Sequence, residues 1–550
     1  MSRFVDTMVA TAAGALGRAR GMTTGEPGDP VRRSWLEVHE RATRAAGALV
    51  AGGVARGDSI AVLAGDPAAI APTVQAVWLA GASTTMLHQP TARTDLAEWA
   101  EDTLRVLNMI DAKLVLLGAP FDALAGVLEQ HGVAYRRLEE LDGDPLPAPV
   151  EVDEDLPALL QLTSGSTADP KAVRITHGNL WSNATAMRTA AALDPESDVM
   201  VSWLPLFHDM GMVGFLTVPM LFGIDLVKVT PADFLARPTL WPDLISRYGG
   251  TITAAPNFAY AIVARRTRNV DDGAFDLSRL RIALNGAEPI DPAAVRAFTD
   301  EGARFGLRPE CVLCAYGMAE TALGVAFAPV FTGMAVDVVD PEELEAGKHA
   351  VPVDPGHPNA RAFPLLGPPL PGLEVQVVDE AGAVLGERRV GRLRVRGEAV
   401  TPGYLTVDGP VATRDAEGWL DTGDEGYLVD GQVVVCGRRK DVIIMGGRNI
   451  YPTDIERAAT SVEGVRAGNA VAVRLDAGTR RERFAVVVES RLAGDDEAVR
   501  ALSKEVGARV VDAVGLRPFS VVVLKPGSLP KTPSGKLRRA AAASLVPAAG

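Results

Sequence analysis

Leu162-Thr163-Ser164-Gly165-Ser166-Thr167-Ala168-Asp169-Pro170-Lys171 contains five hydroxyl or glycine residues in succession, with a lysine four positions beyond them. Such a segment supplies backbone N–H groups and side-chain donors with little bulk, which is what a loop needs to cradle the oxygens of a polyphosphate. It is not a Walker A loop, because G-x-x-x-x-G-K-[ST] is absent. Alone it also admits the reading of a flexible surface loop. Three further loop-like signatures follow in order: Tyr316-Gly317-Met318-Ala319-Glu320-Thr321, then Asp421-Thr422-Gly423-Asp424 leading into Gly437-Arg438-Arg439-Lys440-Asp441, and finally Pro530-Lys531-Thr532-Pro533-Ser534-Gly535-Lys536.

The rest of the chain bounds what these loops serve. A length of 550 residues implies more than one domain, and 47% hydrophobic residues suffice for a buried core. A net charge of −14 argues against nucleic acid or an anionic membrane as the main partner, since both favour a basic face. Three cysteines are too few for a disulfide framework and fit a reducing cytoplasm. Cys311 and Cys314 form a C-x-x-C without a second ligand pair, so they are expected as buried core thiols rather than metal ligands. The N-terminus, with Asp6 and no long apolar core, does not read as a signal peptide. The most apolar stretch, Met210 to Ile224, is too short to span a bilayer and is interrupted by Pro219, so no membrane insertion is expected.

Hydrophobic spacing predicts helices over Ser34 to Gly53 and Ala68 to Leu79, and strands over Ser59 to Leu63, Leu114 to Leu117 and Val199 to Trp203. Strands alternating with helices imply crossovers and a largely parallel sheet covered on both faces. From Leu373 the texture changes. Val375 to Val378, Arg392 to Arg396 and Gln432 to Val435 alternate or run β-branched between glycine-rich turns, as in a small β-rich subdomain. Pro145 to Pro149 and His357 to Pro369 read as connectors. The expected architecture is α/β: a large N-terminal domain (1–439) of mostly parallel sheets with flanking helices, containing a β-rich subdomain (370–439), and a small mobile α+β C-terminal domain (440–550).

The Thr163 to Lys171 stretch resembles the phosphate-binding loop of the adenylate-forming superfamily, which includes acyl-CoA synthetases, fatty acyl-AMP ligases, peptide-synthetase adenylation domains and luciferases. The other motifs match in order over residues 30 to 540. Ser202-Trp203-Leu204-Pro205-Leu206-Phe207-His208-Asp209-Met210-Gly211-Met212 is similar to the fatty acyl-AMP ligase branch. So are Ala255-Pro256-Asn257-Phe258-Ala259-Tyr260, Leu284-Asn285-Gly286-Ala287-Glu288-Pro289 and Arg448 to Glu456.

The resemblance implies an acid–thiol ligase that activates an apolar carboxylic acid, fatty or bulky and polyketide- or terpenoid-like, as acyl-AMP with ATP and Mg²⁺. The acyl group would then pass to the phosphopantetheine thiol of CoA or an acyl carrier protein. It implies a catalytic Lys536 at the end of the Ser-Gly-Lys run, one of only nine lysines in the chain, together with Glu320 and His208. Thr163 and Glu320 would place the metal. Thr163, Ser164, Gly165, Ser166, Thr167 and Lys171 would hold phosphates, and Gly286, Ala287, Glu288, Tyr316, Gly317, Met318 and Ala319 the adenine half. Asp424 and Arg438 would hold the ribose, Lys440 would be the hinge, and Phe207, Asn257 and Phe258 would line the acyl site. Taken singly, Tyr316 reads as a packed core residue, the Asp421 to Asp424 segment as a tight turn, Lys440 as an exposed charge, and His208 as a hydrogen-bonded histidine.

Peptide-synthetase domains place an aspartate where this chain has His208, which disfavours an amino-acid substrate. Two departures stand out: Ala168 and Ala172 occupy positions where the family has glycine. A β-carbon at Ala168 restricts closure on phosphate if the loop needs positive φ there. Two other readings therefore stand beside the ligase. One is a thioester-forming enzyme that takes preformed acyl-AMP; the other is a non-catalytic nucleotide-binding or luciferase-like protein on the same scaffold.

Overall fold

Residues 2–90, 94–163, 169–357, 360–445, 448–479, 482–531 and 537–547 are described by the structure, a computed structural model. The chain divides into two units. One comprises 1–335, 366–374 and 395–420; the other comprises 336–365, 375–394 and 421–550.

The first unit contains, among the described residues, two eight-stranded sheets. Ser59–Leu63 is buried along its whole length between Ser83–Met86 and Ala112–Leu117, parallel to both. A strand with partners on both edges and helices on its faces has no solvated side, hence its unbroken apolar run. The flanking helices begin where the sequence supplies acceptors. Ser34 caps Trp35–Ala51 through a reciprocal pair with Glu37, and Asp66 caps Pro67–Leu79 with Pro67 in the first turn. The second sheet aligns Val312–Gly317, Ile282–Asn285, Ile252–Ala255, Val199–Ser202, Asp225–Lys228 and Gly21–Thr24 in parallel. Gly324–Phe327 and Val31–Ser34 add antiparallel edges. The predicted helices and strands are present, apart from Trp203, which leaves the sheet to stack on Phe234 at 4.0 Å.

The Met210 to Ile224 stretch is buried and broken. Met210–Thr217 is wound as a π-helix with a non-helical Phe215, and Val218–Phe222 follows as one short α-helical turn ended by Gly223 in the left-handed region. Among the described residues, no helix is long and apolar enough to cross a membrane.

The second unit is β-rich to Arg438 and α+β beyond it. Leu373–Val378, Gly391–Gly397, Leu420–Val429 and Gln432–Arg438 form a four-stranded sheet, most of whose residues belong to this unit. The sheet of Val465–Leu475, Arg483–Ser490 and Val521–Leu524 carries the helices Pro452–Thr460 and Asp496–Val514, which bury Ile455, Val506 and Val510 with Phe484 and Val486. The His357 to Pro369 connector contains a strand, Arg361–Pro364, paired antiparallel with Val336–Val339. Its reason is tertiary. Arg361 is held by Asp454 at 2.7 Å, with its guanidinium 4.5 and 4.6 Å from the rings of Phe363 and Tyr451. With Arg448–Glu345 at 2.6 Å, this pair joins the residues after 440 to 336–365. Lys440 and the residues after it lie in the same unit as 336–365 and 375–394.

Candidate active site

Five parallel strands of the second large sheet end side by side, and their C-terminal turns carry most of the candidate residues. In parallel sheets this edge is where ligands bind, because the turns diverge into loops there. Asn285 lies opposite both Ala255 and Cys314, so Gly286-Ala287-Glu288, Asn257-Phe258 and Tyr316-Gly317-Met318 emerge next to one another. Ser202 lies opposite Lys228, which adds the Trp203 to His208 loop to the same edge.

Local bonds shape these turns. A Cβ on Gly317 would stand 2.3 Å from Leu323 O, so only glycine admits the bulge that follows the buried Tyr316. Glu288 accepts from Phe258 N at 2.7 Å. Asn257 Oδ1 accepts from Asn285 Nδ2 and Asp291 N, both at 3.2 Å. Ala287 has φ of +67°, strained for any residue with a β-carbon. Ala287→Gly is expected to raise the unfolding free energy by about 1 kcal/mol in urea denaturation. An equal or lower value would show that the turn holds alanine without strain.

Around the proposed acyl site, Phe207 is buried and its carbonyl accepts from Gln161 Nε2 at 2.9 Å. His208 Nδ1 lies 2.6 Å from Asp209 Oδ1. The ring of His88 meets the Phe207 ring edge-on at 5.7 Å. Burial, with a smaller push from His208, pulls the His88 imidazole down to about 4, leaving it neutral at pH 7. Trp203 and Phe258 pack edge-to-face at 6.2 Å. Beneath them Lys228 is buried and donates to Leu204 O at 2.5 Å and Val229 O at 3.0 Å. Neither His88 nor Lys228 was singled out by sequence reasoning. The signal for Lys228 was present, a lone cation inside Leu226-Val227-Lys228-Val229; His88 had none.

On the phosphate side, Thr163 ends one strand, Lys171 starts the next, and the two stand opposite in an antiparallel pair. Ser164, Gly165, Ser166, Thr167 and Ala168 lie outside the described residues, as does Lys536. Ala172 is buried in the sheet opposite Leu162 and Leu405, a position that accepts a methyl group. Thr163 Oγ1 is buried with no hydrogen-bond partner among the described residues. Glu320 accepts from Tyr404 Oη at 2.6 Å, and the Tyr404 ring carries Lys171 Nζ 4.1 Å from its centroid. Sequence reasoning missed Tyr404 as well.

In the second unit, Asp424 and Arg438 face each other across an antiparallel pair, with Arg438 Nε 2.9 Å from Asp424 Oδ1. The carboxylate is buried while the guanidinium is half exposed. Lys440 is exposed on a turn, and its carbonyl accepts from Arg474 at 3.3 Å. Cys311, Cys314 and Cys436 are free buried thiols that burial pushes up to about 12, in keeping with core positions. No cluster of three or more histidine, cysteine or acidic side chains suited to a metal occurs among the described residues.

The AMP-binding enzyme family matches residues 14–405 of this chain. A Mycobacterium tuberculosis protein designated a ligase, Rv1013, is 57% identical over 549 residues, 99% of this chain and 100% of its own length. The Mycobacterium marinum long-chain-fatty-acid–AMP ligase FadD26 is 32% identical over 447 residues, 73% of this chain and 74% of its own. A structure from work on the fatty acyl-adenylate ligases of E. coli and L. pneumophila matches with a TM-score of 0.91 at 30% identity, over 99% of this chain and 98% of its own.

Proposed function

Because the chain belongs to the AMP-binding enzyme family and is a ligase of the adenylate-forming type, we propose that it joins an apolar carboxylic acid to a phosphopantetheine thiol through acyl-AMP. The observation that carries this reading is the meeting of apolar and polar turns at one sheet edge. Phe207 and Phe258, with Trp203 packed on Phe258, would supply the apolar wall, and Tyr316, Gly286 and Ala287, on neighbouring strand ends, would flank a flat base.

In the first step a substrate carboxylate oxygen attacks the α-phosphorus of ATP, and the bond to the bridging oxygen breaks to release pyrophosphate. In the second, the thiol sulfur attacks the acyl carbon, its proton passes to solvent, and AMP leaves. Anion must meet anion in the first step, so the chain's contribution is positioning and charge neutralisation. Lys171 and the Thr163 to Thr167 loop hold the β- and γ-phosphates, and Lys536 reaches the carboxylate and the bridging oxygen. His208 lies near the carboxylate, Asn257 lines the acyl site, Glu288 braces its turn, and Met318 and Ala319 flank the nucleotide. Asp424, with Arg438, accepts the ribose hydroxyls. Lys440 would be the hinge about which the residues after it change pose between the steps, releasing the Arg361–Asp454 and Arg448–Glu345 pairs as they move.

The donor set fits Mg²⁺. That ion binds through one or two carboxylates plus substrate phosphates, and Glu320, with the Thr163 hydroxyl that has no partner among the described residues, would hold it. When bound, Mg²⁺ supplies neutralisation of the polyphosphate charge.

The acceptor is CoA or an acyl carrier protein. ATP–pyrophosphate exchange with a panel of long-chain and bulky apolar acids tests the first step, and thioester formation from synthetic acyl-AMP tests the second. Exchange with an apolar acid is expected. Thioester formation without any exchange would replace this reading with an enzyme of the second step alone.

A further inference from the structure

None of these roles uses Tyr404, yet it touches two of the charged groups they depend on. Its strand, Gly403–Thr406, pairs antiparallel with Lys171–Thr176, which sets Thr406 opposite Lys171 and Tyr404 opposite Val173. From there the hydroxyl donates to Glu320 Oε1 at 2.6 Å, and the ring lies under the Lys171 ammonium at 4.1 Å. Both ends of the arrangement are braced. Thr401 N donates to Glu320 O at 2.7 Å, and Thr401 Oγ1 donates to Arg174 O at 2.5 Å. All three side chains are half-buried.

Lys171 and Glu320 form no ion pair with each other among the described residues, although both contact one phenol. Opposite charges this close and partly desolvated attract strongly, and direct pairing would take both away from a polyphosphate and its metal. The ring offers Lys171 its π face without pairing away its charge, so the ammonium donors turned away from the ring remain available. The hydroxyl takes one carboxylate oxygen of Glu320 and leaves the other open.

We infer that Tyr404 is a positioning residue that holds the phosphate-loop lysine and the metal-placing glutamate apart and ready for the magnesium–nucleotide complex. The inference rests on the ligand roles proposed above for Lys171 and Glu320.

Tyr404→Phe keeps the ring and removes the hydroxyl; Tyr404→Leu removes both. Exchange is measured against Mg²⁺ and against ATP, alongside equilibrium binding of ATP with and without Mg²⁺ and a thermal melt of each variant. Tyr404→Phe is expected to raise the half-maximal Mg²⁺ concentration about tenfold. Tyr404→Leu is expected to weaken ATP binding by about a further tenfold as Lys171 swings onto Glu320. A Tyr404→Phe curve that overlays the wild type in Mg²⁺ overturns the inference, and does so equally if the melting temperature falls. Wild-type protein that binds Mg²⁺–ATP but exchanges with no acid would overturn the ligase reading instead; the binding curves would still decide the role of Tyr404. Wild-type protein that binds no ATP overturns both.

Discussion

Lys536→Ala is expected to lower ATP–pyrophosphate exchange by about 10²–10³-fold, the usual loss when one preorganised donor to a developing oxyanion is removed. Negative charge builds on the oxygen between the α- and β-phosphorus atoms as pyrophosphate departs, and a compact ammonium on a long stem suits a contact made only at that moment. Lys536 itself lies outside the described residues, but the residues on either side of that segment are anchored. Lys531 and Leu537 form an antiparallel bridge, Arg538 N donates to Pro530 O at 3.0 Å, and Leu537 packs beside Leu529 and Ala542. Arg539, two residues later, is held by Glu456 at 2.8 Å and Asp441 at 3.2 Å. The same variant should still transfer the acyl group from supplied acyl-AMP, since no pyrophosphate leaves in that step. Equal loss of both half-reactions would remove Lys536 from the adenylation chemistry.

The second large effect concerns Lys228. Burial pulls its ammonium from the ordinary 10.5 down to about 7, with Asp233 opposing weakly. The sign follows from where the proton is held. Below about pH 7 both folded and unfolded chains carry it, and the folded chain bears the full cost of a buried charge. Between about 7 and 10.5 the folded chain gives up the proton while the unfolded chain keeps it, so stability rises with pH by up to about 1.4 kcal/mol per unit. Lys228→Met has nothing to titrate there. It leaves Leu204 O and Val229 O without their donor, a loss of about 1–3 kcal/mol that does not depend on pH. The wild-type unfolding free energy, relative to that of the variant, should therefore climb by about 3 kcal/mol from pH 7 to pH 9.5 in urea titrations. Parallel pH profiles would mean that Lys228 is not a charge held at a cost. The group sits beneath the loop that carries Phe207 and His208, and the neutral amine can still donate to both carbonyls.

Much of this was legible in the linear chain, for local reasons. A buried parallel strand needs an unbroken apolar run, and the turn after it needs glycine, proline or small polar residues. Motifs such as Leu284-Asn285-Gly286-Ala287 therefore announce both the strand and the loop it feeds. Helix starts are equally local, as with Ser34 and Glu37. The apolar neighbourhood of Cys311 and Cys314 likewise pointed to buried thiols. What escaped depends on sheet order and register. Tyr404 and Glu320 are 84 residues apart, and nothing in Pro402-Gly403-Tyr404 says that its strand will lie against Lys171–Thr176. The strand within the proline-rich connector is tied down by partners far along the chain, Asp454 and the Tyr451 ring, both of which meet Arg361. Periodicity records which face of an element is apolar; it carries no record of which distant element covers that face. Apolar pattern and turn chemistry thus wrote the two large sheets and the contents of their loops, whereas the charged contacts of Tyr404, Lys228 and Arg361 arose only when strand order brought their partners within bonding distance.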